Sequence, residues 1–206
     1  MAEQIFTPEE NLAFIRNIME ESRNRTTKSG SFLAVWGTLS ALVTFFQYLA
    51  VTGDFPLAYM PWLWATFVVA GSGYSIMKGR RLAQEYGAPS SNELVTANLF
   101  SATGISIFIF FLANIAAVML GTINHMGTEV CYVISLVMAI AFYGTSYSTG
   151  IKWLRLVAFG WWGAVILFII KPFPDEYLLL IIAALDFILI AVPGFKLMAL
   201  ARNDRD

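Results

Sequence analysis

The chain has 206 residues and a formal net charge of −1, with 58% hydrophobic and only 13% charged side chains, whereas a soluble domain carries roughly a quarter charged residues. That balance excludes an ordinary water-soluble domain, and the absence of a basic stripe argues against nucleic acid as a partner. A single cysteine, Cys131, excludes an intrachain disulfide, and no cysteine–histidine cluster has metal-ligand spacing.

Residues 1 to 30 read as a cytoplasmic leader. They contain Glu3, Glu9, Glu10, Glu20 and Glu21 and no continuous apolar core, so a cleavable secretory signal is not expected. Thr7 as N-cap, Pro8 at the first helical position and Glu10 three residues after the cap announce a helix. Leu12, Ile15 and Met19, with Phe14 and Ile18 beside them, recur at helical spacing and form an apolar stripe. Such a stripe lies on a bilayer surface, packs under a bundle, or docks a protein partner or second subunit.

The pattern Ile15-Arg16-x-Ile18-Met19-Glu20-x-Ser22, followed by Ser29-Gly30 and Gly37, resembles the amino-terminal signature of a group of small bacterial multi-helix inner-membrane proteins. The resemblance covers about the first forty residues. It implies a bacterial inner-membrane location and a cytoplasmic leader helix, and brings with it no reaction, substrate or catalytic residue.

Residues 31 to 200 hold six apolar runs, approximately 31 to 52, 57 to 77, 96 to 120, 130 to 148, 154 to 171 and 177 to 197. Each suffices for the roughly 20 residues of a bilayer crossing. The breaks "GDFP", "KGRRLAQEYGAPSSNE", "GTINHMGTE", "STGIKW" and "KPFPDE" are rich in turn formers or charges. The fold expected is therefore all-α: a polytopic six-helix transmembrane bundle behind an amphipathic leader, with residues 201 to 206 as a tail.

Lysines and arginines in short loops stay in the cytoplasm. Twelve of the thirteen fall on one side of this threading, and only Lys171 falls on the other. Both termini are thus expected in the cytoplasm. The opposite face carries aromatics at its loop edges, among them Phe55, Tyr59, Trp62, Trp64, Tyr132, Phe173 and Tyr177, as suits headgroup depth.

Asp186 falls near the centre of the sixth run, where an acid costs roughly 2.5 to 3.5 kcal/mol on insertion scales. The eleven Leu, Ile, Phe and Val between residues 178 and 192 return roughly 3 to 7 kcal/mol, so the span inserts. No Lys, Arg or His lies at mid-depth elsewhere. The acid is expected to be neutral much of the time, hydrogen-bonded to a neutral partner such as Tyr143, Ser135, Thr66 or Ser40, or exposed to a wet cavity. Two readings stand: a proton or cation site built on Asp186 and Tyr143, or a structural interhelical hydrogen bond.

Asn98, Asn114 and Gln47 read as structural polar contacts within the bundle. The small-residue pairs Gly71 and Gly73, Ala97 and Ser101, Gly144 and Ser148, Gly160 and Ala164 read as close-packing or oligomerisation faces. Pro193 in "VPGFK" is expected to mark the end of the sixth helix rather than a break within it. Trp161 and Trp162 read as packing residues. Glu129 with Asp175 could bind a cation at the outer surface, although loop carboxylates are usually solvated.

The single histidine, His125, sits in an outer loop, so bis-histidine haem ligation within the chain is impossible and a Ser/His/Asp site cannot be assembled. No mid-span lysine or arginine ladder exists for a chromophore or a voltage sensor. An enzyme is not expected, nor is a cofactor or metal required. Two function classes remain: a small-solute or ion transporter or channel, expected as a homo-oligomer, titrating Asp186; or a non-catalytic accessory or signalling subunit that binds a partner through Leu12, Ile15, Ile18, Met19 and the cytoplasmic loops.

Overall fold

The computed structural model of the chain describes residues 30–86, 91–122 and 129–203, together with Thr7 and Leu12. These are all-α: α1 (Gly30–Thr52), α2 (Met60–Tyr86), α3 (Ser91–Met119), α4 (Glu129–Thr149), α5 (Leu154–Ile170), α6 (Leu178–Asp186) and α7 (Val192–Asn203). Short 3₁₀ turns, Leu57–Tyr59 and Asp175–Tyr177, precede α2 and α6, and a π-helical turn, Phe187–Ala191, joins α6 to α7. The leader stripe at Ile15, Ile18 and Met19 lies outside the described residues. Leu12 is exposed.

Among the described residues four helices are long and apolar enough to cross a membrane: α1, α3, α4 and the continuous α6–α7 rod over Leu178–Arg202. The 17 residues of α5 measure about 26 Å at the α-helical rise, slightly less than the roughly 30 Å hydrocarbon core. The α2 helix is longer, but Lys78, Arg80, Arg81 and Glu85 occupy its last turns.

The expected loop starting "KGRRLAQEY" is helical through Tyr86, and α3 begins at Ser91, five residues before the sequence boundary. Arg, Leu, Ala, Gln and Glu are strong helix formers, so α2 continues past its apolar portion. The end expected at Pro193 is also absent, because α7 runs on to Asn203. Pro193 occupies the first turn of α7, where a missing N–H and a fixed φ are tolerated.

Packing is sequential in space: α2 lies on α1, α1 on the α6–α7 rod, the rod on α5 at the π turn, α5 on α4, and α4 on α3. A tilted ring contact between Trp64 and Phe111, 5.8 Å apart, joins α2 to α3. The main core lies between α4, α5 and the rod, around Phe142, Leu154, Ala158, Trp161 and Phe168. A smaller cluster of Val43, Ala50 and Met60 lies between α1 and α2.

Two indoles fasten α1 to α2: Trp36 Nε1 donates to Ser75 Oγ at 2.9 Å and Trp64 Nε1 to Gln47 Oε1 at 3.1 Å. Thr96 and Ser148 hydroxyls, 3.2 Å apart, join α3 to α4. Asn114 instead donates to the Phe110 carbonyl one turn back on its own helix, and Asn98 is exposed, so neither makes the interhelical contact expected of it.

The backbones of α1 and the rod come into close contact at glycines. A Cβ at Gly194 would strike the Ala34 backbone, one at Gly37 the Ala191 backbone, and one at Gly30 the side chain of Leu197. Of the anticipated small pairs, Gly71 receives the Trp36 ring, Gly144 receives Leu99 and Gly160 receives Leu189, while Gly73 faces open space.

Candidate functional site

Asp186 is the last residue of α6 and 5% exposed, turned into protein. Its Oδ2 accepts a hydrogen bond of 2.6 Å from Ser40 Oγ on α1. A 2.6 Å O–H···O contact lies in the range of charge-assisted bonds. The carboxylate is also within electrostatic range of the Cys131 thiol on α4.

None of the other partners considered for the acid hydrogen-bonds to it. Ser135 is fully buried and donates to the Cys131 carbonyl at 2.8 Å, and Thr66 is exposed on α2. The Tyr143 ring lies against Tyr147 and Trp162, at 5.6 and 5.4 Å. The candidate pair of Asp186 and Tyr143 is thus replaced, as regards direct hydrogen bonding, by Asp186 and Ser40.

Backbone chemistry next to the acid is irregular. In the π turn the Val192 N–H bonds the Phe187 carbonyl, five residues back, instead of one four residues back. Pro193 follows and has no N–H to give to the carbonyls of Ile188 or Leu189. A π turn inserts one extra residue into a helix, and such turns concentrate at functional sites.

Trp161 on α5 is 1% exposed, and its indole N–H has no acceptor. It stands nine residues before the end of α5 and Asp186 eight after the start of α6, so the two are at similar depth in neighbouring antiparallel segments. Gly160, adjacent to Trp161, is the point at which α5 meets Leu189 of the π turn. The neighbouring Trp162 packs on Tyr143 and Phe159.

Between α1, α2 and α7 runs an apolar groove of about 280 Å³, lined by Ser31, Val35, Thr38, Tyr74, Phe195 and Met198 among others. The Ser31 and Thr38 hydroxyls have no hydrogen-bond partner. Toward the end of α4, cations rest on aromatic faces: Arg155 over Tyr147 at 4.7 Å and Lys196 over Trp153 at 4.3 Å.

Lys171, the one basic residue on the far side of the threading, caps α5 in a left-handed conformation and is paired with Asp175. Asp175 is therefore already engaged by a cation, which weakens the pairing with Glu129 that the sequence offered. Among the described residues no group of three or more His, Cys, Asp or Glu side chains is placed to hold a metal ion. No family model matches the chain, and neither a curated protein nor a solved structure shows significant similarity to it.

Proposed function

We propose that the protein is a bacterial inner-membrane transporter or channel for an ion or small solute, with Asp186 as its titrating group and Ser40 as that group's resting partner. The supporting observation is the burial of one carboxylate inside an apolar rod, held by a neutral hydroxyl of another helix with no cation paired to it among the described residues. An intramembrane acid in this setting exchanges protons or binds a cation without breaking a salt bridge.

In this reading the chain crosses the bilayer six times with both termini in the cytoplasm. The basic residues of the α2 end, the α4–α5 turn and the α7 end then share one side, and the pairing of Lys171 with Asp175 offsets the one exception. The amino-terminal resemblance is consistent with a bacterial inner membrane.

The test is proton flux into liposomes that carry purified protein and a trapped pH-sensitive dye, under an imposed potassium diffusion potential. Flux is expected from the unaltered protein and lost in Asp186→Asn, which keeps shape and hydrogen bonding but removes titration. Equal flux from both, or none from either, would defeat the proton reading.

A second reading, an accessory subunit that engages a partner through its leader, draws on the 68% exposure of Leu12. Its test is co-purification after deletion of residues 1 to 24; undiminished recovery of a partner counts against it.

A further inference from the structure

The ladder between α1 and the rod has unequal rungs. On α1 the facing residues are Gly30, Ala34, Gly37 and Ser40, spaced by three or four as any α-helix requires. Opposite them stand Leu197, Gly194, Ala191 and Asp186. Leu197, Gly194 and Ala191 are three apart, but from Ala191 to Asp186 the step is five.

That long step coincides with the π turn Phe187–Ala191. Were the rod α-helical back from Ala191, the residue four positions earlier, Phe187, would stand against Ser40. Asp186 would then be turned about 100° away, the rotation per residue of an α-helix. The single extra residue of the π turn is what brings the acid to α1.

A one-residue insertion is defined by its position along the helix, and that position can change. Pro193 bounds it on the carboxyl side, since a proline further inside a helix clashes with the preceding turn. On the amino side lies α6, with no proline or glycine from Leu178 to Asp186. Displacement of the extra residue into α6 moves each intervening side chain by one slot. Phe187 takes the slot of Asp186, and Asp186 takes that of Leu185.

Leu185 packs against the core cluster that contains Trp161. This is the cluster that holds a buried indole N–H without an acceptor, at similar depth and beside the π turn through Gly160 and Leu189. A carboxyl oxygen entering there meets an unused donor.

We propose that the π turn Phe187–Ala191 is a movable register element that gives Asp186 two alternative partners, the Ser40 hydroxyl on α1 and the Trp161 indole N–H on α5. In the observed register the acid faces α1, and in the displaced one it faces the α4–α5 core. The proposal deepens the reading of Asp186 as a titrating site by supplying the motion that presents it to two sides. Its test measures geometry alone, so it can fail while Asp186-dependent flux persists, and can succeed where flux is absent.

The experiment is oxidative cross-linking in the full-length, membrane-embedded chain with Cys131→Ala as background. Ser40→Cys is paired in turn with Asp186→Cys, Phe187→Cys and Leu185→Cys. The Asp186 pair reports the observed register and the Phe187 pair the displaced one. Leu185 flanks Asp186 on the other side and faces Ser40 in neither, so its pair reports simple wobble.

Cross-linking is expected to be fast for the Asp186 pair and about 10- to 1,000-fold slower for the Phe187 pair, as for a minor state populated at roughly 0.1–10%. It should be absent for the Leu185 pair. Trp161→Phe is expected to slow the Phe187 pair a further fivefold or so, the equivalent of one lost hydrogen bond. A Phe187 pair no faster than the Leu185 pair overturns the movable register, and failure of the Asp186 pair in monodisperse protein overturns the register itself. An unchanged Phe187 rate in Trp161→Phe removes Trp161 as the second partner.

Discussion

Ser40 and Asp186 are 146 positions apart in the chain and 2.6 Å apart in space, and their bond joins the first described helix to the last helical rod. Removing the hydroxyl leaves the carboxylate buried and short of a donor, at a cost of about 1–3 kcal/mol. Ser40→Ala is expected to lose that much unfolding free energy in detergent-denaturant titrations. Ser40→Ala combined with Asp186→Leu should recover most of the loss, since an apolar pair of similar shape needs no donor. A Ser40→Ala variant as stable as the parent would show that another group already satisfies the acid.

The approach of α1 to α7 tolerates nothing larger than hydrogen at Gly194. Gly194→Ala forces its methyl into the Ala34 backbone, and overpacking of this kind costs about 1–3 kcal/mol. Gly73→Ala meets open space and is expected to stabilise α2 by about 0.5–1 kcal/mol through reduced backbone freedom. Thermal melts of the two single variants should therefore move in opposite directions.

Phe142 and Trp161 are both wholly buried, yet truncating them has different expected effects. Phe142→Ala opens a cavity in the α4–α5 core and should cost about 3–5 kcal/mol. Trp161→Phe keeps an aromatic ring and removes an unpaired donor, so its loss is expected to stay within about 1 kcal/mol. Comparable destabilisation by both would mean that the indole N–H is satisfied in the native protein.

The six-crossing arrangement has a direct test at two exposed positions, Asp54 between α1 and α2 and Lys152 between α4 and α5. In the Cys131→Ala background, a membrane-impermeant maleimide added to intact spheroplasts is expected to label Asp54→Cys at once. Lys152→Cys should react only after permeabilisation. Labelling of both from the same side contradicts the threading.

The helical rods were legible in the sequence because apolar runs bounded by Gly, Pro and charge leave few alternatives in a low-charge chain. Their ends were less so: the charged turns of α2 look like a loop by hydropathy and like a helix by propensity, and propensity prevailed. Asp186 was legible as an acid out of place, and Ser40 was one of four neutral hydroxyls considered. Choosing among the four required knowing which helices touch, and hydropathy carries no record of that.

The π turn left no local signature beyond Pro193 downstream, because its five residues are ordinary apolar ones. The crossing at Gly37 and Gly194 was equally hidden, since its glycines lie on helices far apart in the chain. Small-residue spacing within one helix cannot report a pairing made between two.

The central place of α1 has a consequence for biosynthesis. Emerging from the ribosome ahead of the other described helices, α1 is sheathed by the α6–α7 rod, which emerges last. Its glycine seam and the Ser40 hydroxyl are therefore without the rod until the last of the described helices has been made. A chain stopped before residue 178 lacks the rod altogether, and that seam is left without its cover.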